Sequence, residues 1–419
     1  MPITRNTSRL LLGAVFTYSG FVKAIDPLGS TYKFIEYFHA AGLDGIDPLA
    51  LLASLALSLA EFITGVALLL NLRLRLASAV ALLFMTLFTP FTLFLAIARP
   101  VSDCGCFGDA LPLTPWLSFW KNIALLLLAI IVRAKRKRYT SPLTAARQNG
   151  VLLLSATYML LLSWHAYRTL PPLDFRPYAE GKNIAEQTRT PEEENPGLYR
   201  LTLYYKNTNT GEIKAFTADN YPWQDSTWTH QRTERQWIQK NDTPPLRDFS
   251  IEHPLQGDIT REVLESNDYI LLLVARQIEK VPRETQARVN RLAYHLHGKG
   301  YRVIGLTSSP DDAVSEFNAR YRVPYDICTT DDTQLKTMIR ANPGFLLLHR
   351  GTILVKGAGQ DIPEVAELEG KDLLARLVSR KNARRDNLLV TTLLLLLSTT
   401  YLLLRPARRG RTNNPRRGI

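Results

Sequence analysis

Six apolar blocks of near-membrane length constrain the fold of this chain more than any other feature: Leu10–Ile25, Pro48–Leu70, Leu76–Ala98, Pro115–Val132, Val151–Tyr167 and Asn387–Leu404. A bilayer core takes about 20 predominantly apolar residues per helix, so the blocks predict an α-helical polytopic membrane bundle. The first and fifth are short. The polar stretch between residues 168 and 386 separates the last two blocks and is long enough for a soluble domain.

The formal net charge of +13 would suggest a polyanion partner if it were spread over a soluble surface. It is concentrated instead. Arg5 and Arg9 precede the first block, Arg73 and Arg75 lie between the second and third, and Arg133, Lys135, Arg136, Lys137, Arg138 and Arg147 lie between the fourth and fifth. Arg405, Arg408, Arg409, Arg411, Arg416 and Arg417 follow the sixth, as a basic tail over residues 405–419. If all six blocks span, these segments share one side, and basic residues near span ends resist translocation. That side is read as the cytoplasm of a bacterial inner membrane, with both chain ends inside. The opposite loops carry acids: Asp26, Glu36, Asp44 and Asp47 in the first, Asp103 and Asp109 in the second. No nucleic-acid partner is expected; the bilayer is. Arg380, Lys381, Arg384 and Arg385 run against the rule on the outer side. The first block could be a signal peptide with Arg5 and Arg9 as its basic region. No convincing small-x-small cleavage site follows it, and its removal would put the Arg-rich loops outside.

Two of the three cysteines stand one residue apart, in Cys104-Gly105-Cys106-Phe107-Gly108, between the third and fourth blocks. The loop, like the polar domain, faces outward in this topology, into an oxidising compartment where a disulfide persists. Joining residues i and i+2 demands a turn, because a disulfide wants Cα atoms about 4.4–6.8 Å apart. Gly105 permits that turn. A ring so small is strained, and strained disulfides are the labile ones. Thr114-Pro115 reads as an N-cap with proline at the first helical position, and a helix N-terminus near the loop can lower thiol pKa. Three readings stay open: disulfide exchange, a static staple, or metal binding. The last is limited because the pair supplies at most two ligands and no His or Cys cluster lies nearby in sequence. Cys328 is a lone cysteine, whose usual fate is inert burial; a mixed disulfide with a partner or the loop is the alternative.

Glu61 falls near the middle of the second span, where an ionisable group faces the bundle interior or a cavity. It is either a proton- or quinone-site residue or an interhelical hydrogen-bonding group, with Tyr18, Ser19 or Thr64 as candidate partners. Lys23 lies near the outer end of the first span and is expected to snorkel or to pair with Asp26. Pro90 predicts a kink in the third span, and His165 an interfacial position.

Three stretches together resemble the DoxX/MauE group of four-helix membrane proteins: Phe16-Thr17-Tyr18-Ser19-Gly20-Phe21-Val22-Lys23 leading into Asp26-Pro27-Leu28-Gly29, Glu61-Phe62-Ile63-Thr64-Gly65-Val66-Ala67-Leu68-Leu69, and Asp103-Cys104-Gly105-Cys106-Phe107-Gly108-Asp109. The last is the MauE-like signature. The resemblance covers about residues 8–133. It implies a four-helix fold and a role in maturing exported disulfide-rich proteins, as MauE-type (methylamine utilisation) proteins are linked to methylamine dehydrogenase. It also invites comparison with vitamin K epoxide reductase-like membrane oxidoreductases. Those place Cys-x-x-Cys beside a quinone, whereas this chain has Cys-x-Cys, so a quinone cofactor enters only by analogy.

In the polar stretch, Leu170–Tyr178 is proline-rich and is expected along the membrane surface. Leu198–Tyr205 and Glu212–Thr217 predict a β-hairpin, and Tyr221–Thr243, with Trp223, Trp228 and Trp237, an elaboration. Beyond Asp268 the pattern regularises: strands at Tyr269–Ala275 and Tyr301–Leu306, helices at Arg283–His297, Pro310–Tyr321 (after Ser309, with proline at N1) and Asp332–Ile339, and a closing hairpin at Gly344–His349 and Thr352–Lys356. Over about residues 265–375 this resembles the thioredoxin and peroxiredoxin-like superfamily. The resemblance implies a cis-proline at Asn342-Pro343-Gly344 and a peptide-docking groove near Pro343. The family's Cys-x-x-Cys position reads Arg276-Gln277-Ile278-Glu279-Lys280, without cysteine.

The expected domains are thus a four-helix membrane domain (1–138), a fifth span with its flanks (139–170), an exported β region (171–264), a thioredoxin-like α/β domain (265–380), a last span (387–404) and the tail. The expected function is a membrane thiol-disulfide redox or maturation factor. Cys104 and Cys106 exchange a disulfide with exported clients or a partner oxidoreductase, Glu61 serves the bundle interior, and Pro343 marks the client groove. Gly105, Phe107, Gly108, Lys23 and Asp26 are the motif residues that frame the site. The alternative is a non-enzymatic envelope scaffold with a structural cysteine pair.

Overall fold

The computed structural model describes the chain except for residues 1, 44, 100, 102, 189–198, 218–219, 223–224, 238–245, 247–248, 298, 369, 371 and 405–419. Expectations placed on Asp44, Leu198, Trp223 and the basic tail therefore lie outside the described residues. The membrane part comprises α1 (Pro2–Ile25), α2 (Pro27–Ala40), α3 (Ala50–Leu69), α4 (Leu74–Ala98), α5 (Pro115–Ala134) and α6 (Ala145–Arg168). By length and composition Asp47–Leu69, α4, α5, α6 and the terminal helix Leu373–Leu404 can each cross a membrane. Helix α1 is more polar because its inward face carries Ser19 and Lys23, both buried. It nevertheless runs antiparallel to α3 over Ser58–Leu69. Arg9 donates to the carbonyls of Leu68 and Leu69 at one end, and Lys23 reaches Glu61 towards the other. A Cβ added at Gly20 or Gly65 would lie 2.5 Å from Phe62 N or 2.3 Å from Thr17 N, so the two backbones touch through glycine.

Large apolar side chains such as Leu76, Leu83, Ile97, Leu127, Leu153 and Leu393 point outward, as a lipid-facing belt requires. Helix α4 runs through Pro90 without a break. The chain is a multi-pass membrane protein with an added mixed α/β domain.

Helix α2 departs from expectation, since its residues fall in what was read as an acidic loop. Asp26 caps it by accepting from Gly29 N at 2.9 Å, and Pro27 takes the first helical position. Fourteen residues long, it is too short to span.

The polar stretch holds two sheets. Strands β1 (Tyr199–Asn207), β2 (Ile213–Thr217) and β3 (Trp228–Trp237) form an antiparallel sheet of order β2-β1-β3. The hairpin was foreseen; β3 extends it through the region read only as an elaboration. The larger sheet contains β4 (Glu252–His253), β5 (Gly257–Asp258), β6 (Tyr269–Val274), β7 (Tyr301–Thr307), β8 (Asp326–Thr329), β9 (Gly344–His349) and β10 (Thr352–Ala358). Its order is β10-β9-β6-β7-β8-β4-β5, with β6, β7 and β8 parallel and the β9–β10 hairpin antiparallel to β6. Helices α7 (Ile184–Thr188), α8 (Thr260–Glu265), α9 (Arg283–Leu296), α10 (Asp311–Tyr321) and α11 (Asp332–Met338) accompany it. Three parallel strands closed by an antiparallel hairpin, with the Asn342-Pro343 bond cis just before that hairpin, make a thioredoxin-like arrangement. Buried Tyr178, Ile184, Leu246, Phe249 and Ile251 belong to the same core as Ile270 and Leu272. The domain thus recruits residues well before 265. Helix α10 is capped by Pro310 rather than Ser309, because Ser309 Oγ instead accepts from Ile278 N at 3.0 Å.

The terminal helix, α12 (Leu373–Leu404), is 32 residues long, about 48 Å at 1.5 Å per residue. It leaves the domain and packs on α6, where Tyr158 OH lies 3.0 Å from Thr392 Oγ. Its outer part resolves the misplaced positive run. Arg380 pairs with Glu367, Lys381 with Glu180 and Arg384 with Asp361, so acids of the domain neutralise it.

Candidate functional site

The α4–α5 loop, α2 and the polar domain meet at one end of the bundle. Gly105 adopts φ +59°, and a Cβ there would sit 3.2 Å from Lys33 Cγ; both backbone and space call for glycine. This turn brings the sulfurs of Cys104 and Cys106 within 2.6 Å of each other. The loop is fastened without any bond between them. Tyr37 OH donates to the Cys104 carbonyl at 2.5 Å, Gly105 N donates to Asp103 Oδ1 at 2.8 Å, and Lys33 Nζ lies 2.8 Å from Asp103 Oδ2. Thr114 and Pro115 start α5 as expected, Thr114 accepting from Leu117 N at 3.4 Å. One turn on, the Ser118 hydroxyl faces Cys104.

Cys104 is buried and Cys106 half-buried. The hydrogen bond from Cys104, aided by the Lys121 ammonium and opposed by burial, holds Cys106 down at about 6. The same bond, then burial, pushes Cys104 up. The two thiols therefore differ in acidity, Cys106 the more acidic and Cys104 the less, an inequality suited to exchange.

Beneath the loop, Lys23 Nζ lies 2.7 Å from Glu61 Oε2, both side chains buried. Ser19 Oγ accepts from Lys23 at 2.8 Å and stands 2.9 Å from both Glu61 Oε2 and the Cys106 carbonyl. Lys23 thus neither snorkels nor pairs with Asp26. It shares an α1 face with Ser19, one turn apart, and that face looks into the bundle. Asp26 sits past the end of α1, where it caps α2 and meets Arg340 of the thioredoxin-like domain. Phe107 packs on Tyr18 at 5.6 Å and carries the Lys121 ammonium 4.4 Å from its ring centroid. Gly108, at φ +52°, turns the chain towards Asp109.

A cavity of about 450 Å³ adjoins the pair, lined by Phe88 and Phe91 on one side, Lys23, Glu61 and Lys121 within, and Leu173 and Phe175 on another. Its size suits a small molecule. An apolar ring compound such as a quinone has room there, although no residue selects it over another apolar molecule. Among the described residues, no cluster of three or more His, Cys, Asp or Glu could hold a metal ion.

Cys328 is fully buried in the domain core, and burial, with Asp326 adding, pushes its thiol up to about 11. It does not join the loop. Pro343 follows the cis bond ahead of β9, where Asn342 Nδ2 donates to Gln277 O at 2.9 Å and Gln277 N donates back to Asn342 Oδ1 at 3.2 Å. Tyr37, Lys33, Lys121 and Arg340 escaped sequence reasoning. Only Lys121 carried a signal, as an intramembrane charge beside the cysteine loop.

Residues 1–135 match the family described as methylamine utilisation protein MauE, and residues 199–240 match a domain of unknown function (DUF8463), which coincides with the three-stranded sheet. No curated protein matches the chain. Among solved structures, an uncharacterized conserved protein from Geobacillus kaustophilus is 14% identical, with 26% of this chain and 64% of that one covered and a TM-score of 0.22. The chain therefore spans less than two-thirds of that relative's length. A putative thioredoxin from Neisseria meningitidis is 17% identical, covering 29% and 83%, with a TM-score of 0.24. A putative thiol:disulfide interchange protein DsbE from Chlorobium tepidum is 15% identical, covering 32% and 92%, with a TM-score of 0.25. The chain is MauE-like over its first 135 residues, and the strand order of its large sheet is thioredoxin-like.

Proposed function

We propose that this protein is a membrane-embedded thiol-disulfide exchange factor acting on exported proteins, with Cys104 and Cys106 as its reacting pair. The observation that carries this reading is the pair itself: two adjoining thiols, unequal in acidity, in a loop whose shape does not depend on their bond. A staple would have little left to hold, because Tyr37, Asp103 and Lys33 already hold the loop.

In the exchange, the Cys106 thiolate attacks one sulfur of a client disulfide. The client S–S bond breaks, and its other sulfur leaves as a thiolate that takes up a proton. Cys104 then gives up its proton and attacks Cys106, closing the ring and releasing the client's second sulfur. The client gains two electrons from the loop, and of the two protons it takes up one comes from Cys104 and the other from solvent. A partner oxidoreductase restores the thiols. Run backwards, the same steps oxidise a client dithiol. The Lys23–Ser19–Glu61 group fixes the Cys106 carbonyl from below and keeps a positive charge near the thiolate. The distribution of Lys and Arg supports an inner-membrane location with the loop in the periplasm.

The test is equilibration of the full-length protein, in membranes, with glutathione buffers of graded poise, followed by alkylation of free thiols. The Cys104–Cys106 bond should open and close reversibly across the series. A bond closed in every buffer, or thiols that never join, would favour the scaffold reading.

A further inference from the structure

Arg340 ends the segment after α11 and is only 6% exposed. Its Nε lies 3.1 and 3.0 Å from the two carboxylate oxygens of Asp26, and its Nη2 lies 2.7 Å from Asp109 Oδ2. Nη1 donates to the Lys336 carbonyl, and the guanidinium stands 5.4 Å from the Tyr32 ring centroid. One side chain of the polar domain thus joins the start of α2 to the residue three places beyond Cys106. Gly29 keeps the space clear, since a Cβ there would come within 2.3 Å of Asp26 Oδ2 and 2.8 Å of Arg340 Nη2. Arg276, where redox-active thioredoxins carry their cysteines, rests over the same Tyr32 ring at 5.6 Å. The edge of the domain that would meet a client in those proteins here meets its own membrane bundle.

The cysteine loop is consequently pinned by an ion pair at each end. Lys33 of α2 holds Asp103 ahead of Cys104, and Arg340 of the domain holds Asp109 after Cys106. Arg340 is buried while Asp109 is partly exposed, so the contact can be made or broken without burying a second charge, giving it two distinct states.

We propose that Arg340 is a positioning residue through which the thioredoxin-like domain, which lacks the Cys-x-x-Cys pair, acts in cis, setting the geometry and accessibility of the Cys104–Cys106 pair. Docked, the domain keeps Cys104 beneath the loop against Cys106. Undocked, the loop relaxes and Cys104 becomes accessible. The inference rests on the exchange reading for its purpose, but its test needs no exchange.

The experiment measures alkylation rates of Cys104 and Cys106 separately across pH, by peptide mass, in the full-length protein in bilayer discs. Wild type is compared with Arg340→Gln, Asp109→Asn, Arg340→Lys, the Arg340→Gln/Asp109→Asn double variant and the distant control Arg288→Gln. Arg340→Gln and Asp109→Asn should each speed Cys104 alkylation about tenfold, within the range over which coupling contacts act. Each should also move the pH midpoint of Cys106 upward. The double variant should match the singles, Arg340→Lys should recover part of the effect, and Arg288→Gln should behave as wild type. If Arg340→Gln fails to fold, Asp109→Asn decides, because it alters only the exposed partner. Wild-type rates and midpoints in folded Asp109→Asn, or simple addition in the double variant, would overturn the proposal. Loss of reversible disulfide formation with intact Arg340 dependence would overturn the exchange reading alone.

Discussion

The Lys23–Glu61 pair places two opposite charges within the bundle, 38 residues apart in sequence and 2.7 Å apart in space. Neither ion is stable there alone. Glu61→Gln strands the Lys23 ammonium, and removal of one partner of a buried pair costs about 3–5 kcal/mol. Replacing both, as Lys23→Met with Glu61→Leu, should recover most of that loss. Unfolding in detergent, followed by circular dichroism, checks the prediction; equal losses in single and double variants would contradict it. Glu61 was legible as an inward-facing residue because a charge mid-span has few other places to go. Its partner was not, because Lys23 and Asp26 are neighbours in sequence, and only the packing of α1 on α3 shows which acid Lys23 faces. Gly105 was legible for the opposite reason: a two-residue spacing of cysteines dictates a turn by itself.

At the level of elements, the segment leaving α6 is stitched to β10 by a buried ionic group. Lys356 Nζ lies 2.5 Å from Asp174 Oδ2 and donates to the carbonyls of Tyr178 and Met338 at 3.0 and 2.9 Å. Arg176 Nε meets Asp174 Oδ1 at 2.7 Å. Burial works against the Asp174 carboxylate, but Lys356 and Arg176 outweigh it and hold the group at about 2. Burial lowers Lys356 to about 7. Near neutrality the two directions compete, and the three acceptors around Nζ favour the ammonium. For Asp174 the folded value lies below the unfolded one. Its contribution, about 2 kcal/mol, is therefore present above pH 4 or so and lost as pH falls from about 4 towards 2. Asp174→Asn should flatten that part of the stability–pH curve, read from unfolding of the polar domain in the full chain; an unchanged acid limb would contradict it. Apolar strands such as β6 and β9 could be read from their runs of Leu and Ile. Strand β3, Trp-Thr-His-Gln-Arg-Thr-Glu-Arg-Gln-Trp, could not, since its run of polar residues carries no apolar alternation and its pairing with β1 supplies the order. Helix α2 carried a usable sign in Asp26-Pro27, the same cap-and-proline start as Thr114-Pro115, but its acids and length made it read as a loop.

On the scale of the molecule, a MauE-like bundle holds the cysteine loop and a thioredoxin-like domain stands over it, tied by Arg340 and by α12 running from one into the other. Five of the six expected spans, and the class of the polar domain, were legible because each is written in long runs of residues. Their mutual docking was not, since Asp26 and Arg340 lie 314 residues apart and nothing local marks them as partners. The proposed orientation predicts that a membrane-impermeant thiol reagent labels Cys106 from the periplasmic side of intact cells. Labelling only after lysis would reverse the topology. The most direct measurement of the exchange reading is acid-quenched capture of mixed disulfides in cells carrying Cys104→Ser or Cys106→Ser in the full-length protein. With Cys106 as the attacking sulfur and Cys104 resolving, Cys104→Ser should accumulate mixed disulfides with exported proteins, and Cys106→Ser should accumulate far fewer. Absence of captured partners in both variants, with the protein folded and in the membrane, would contradict it.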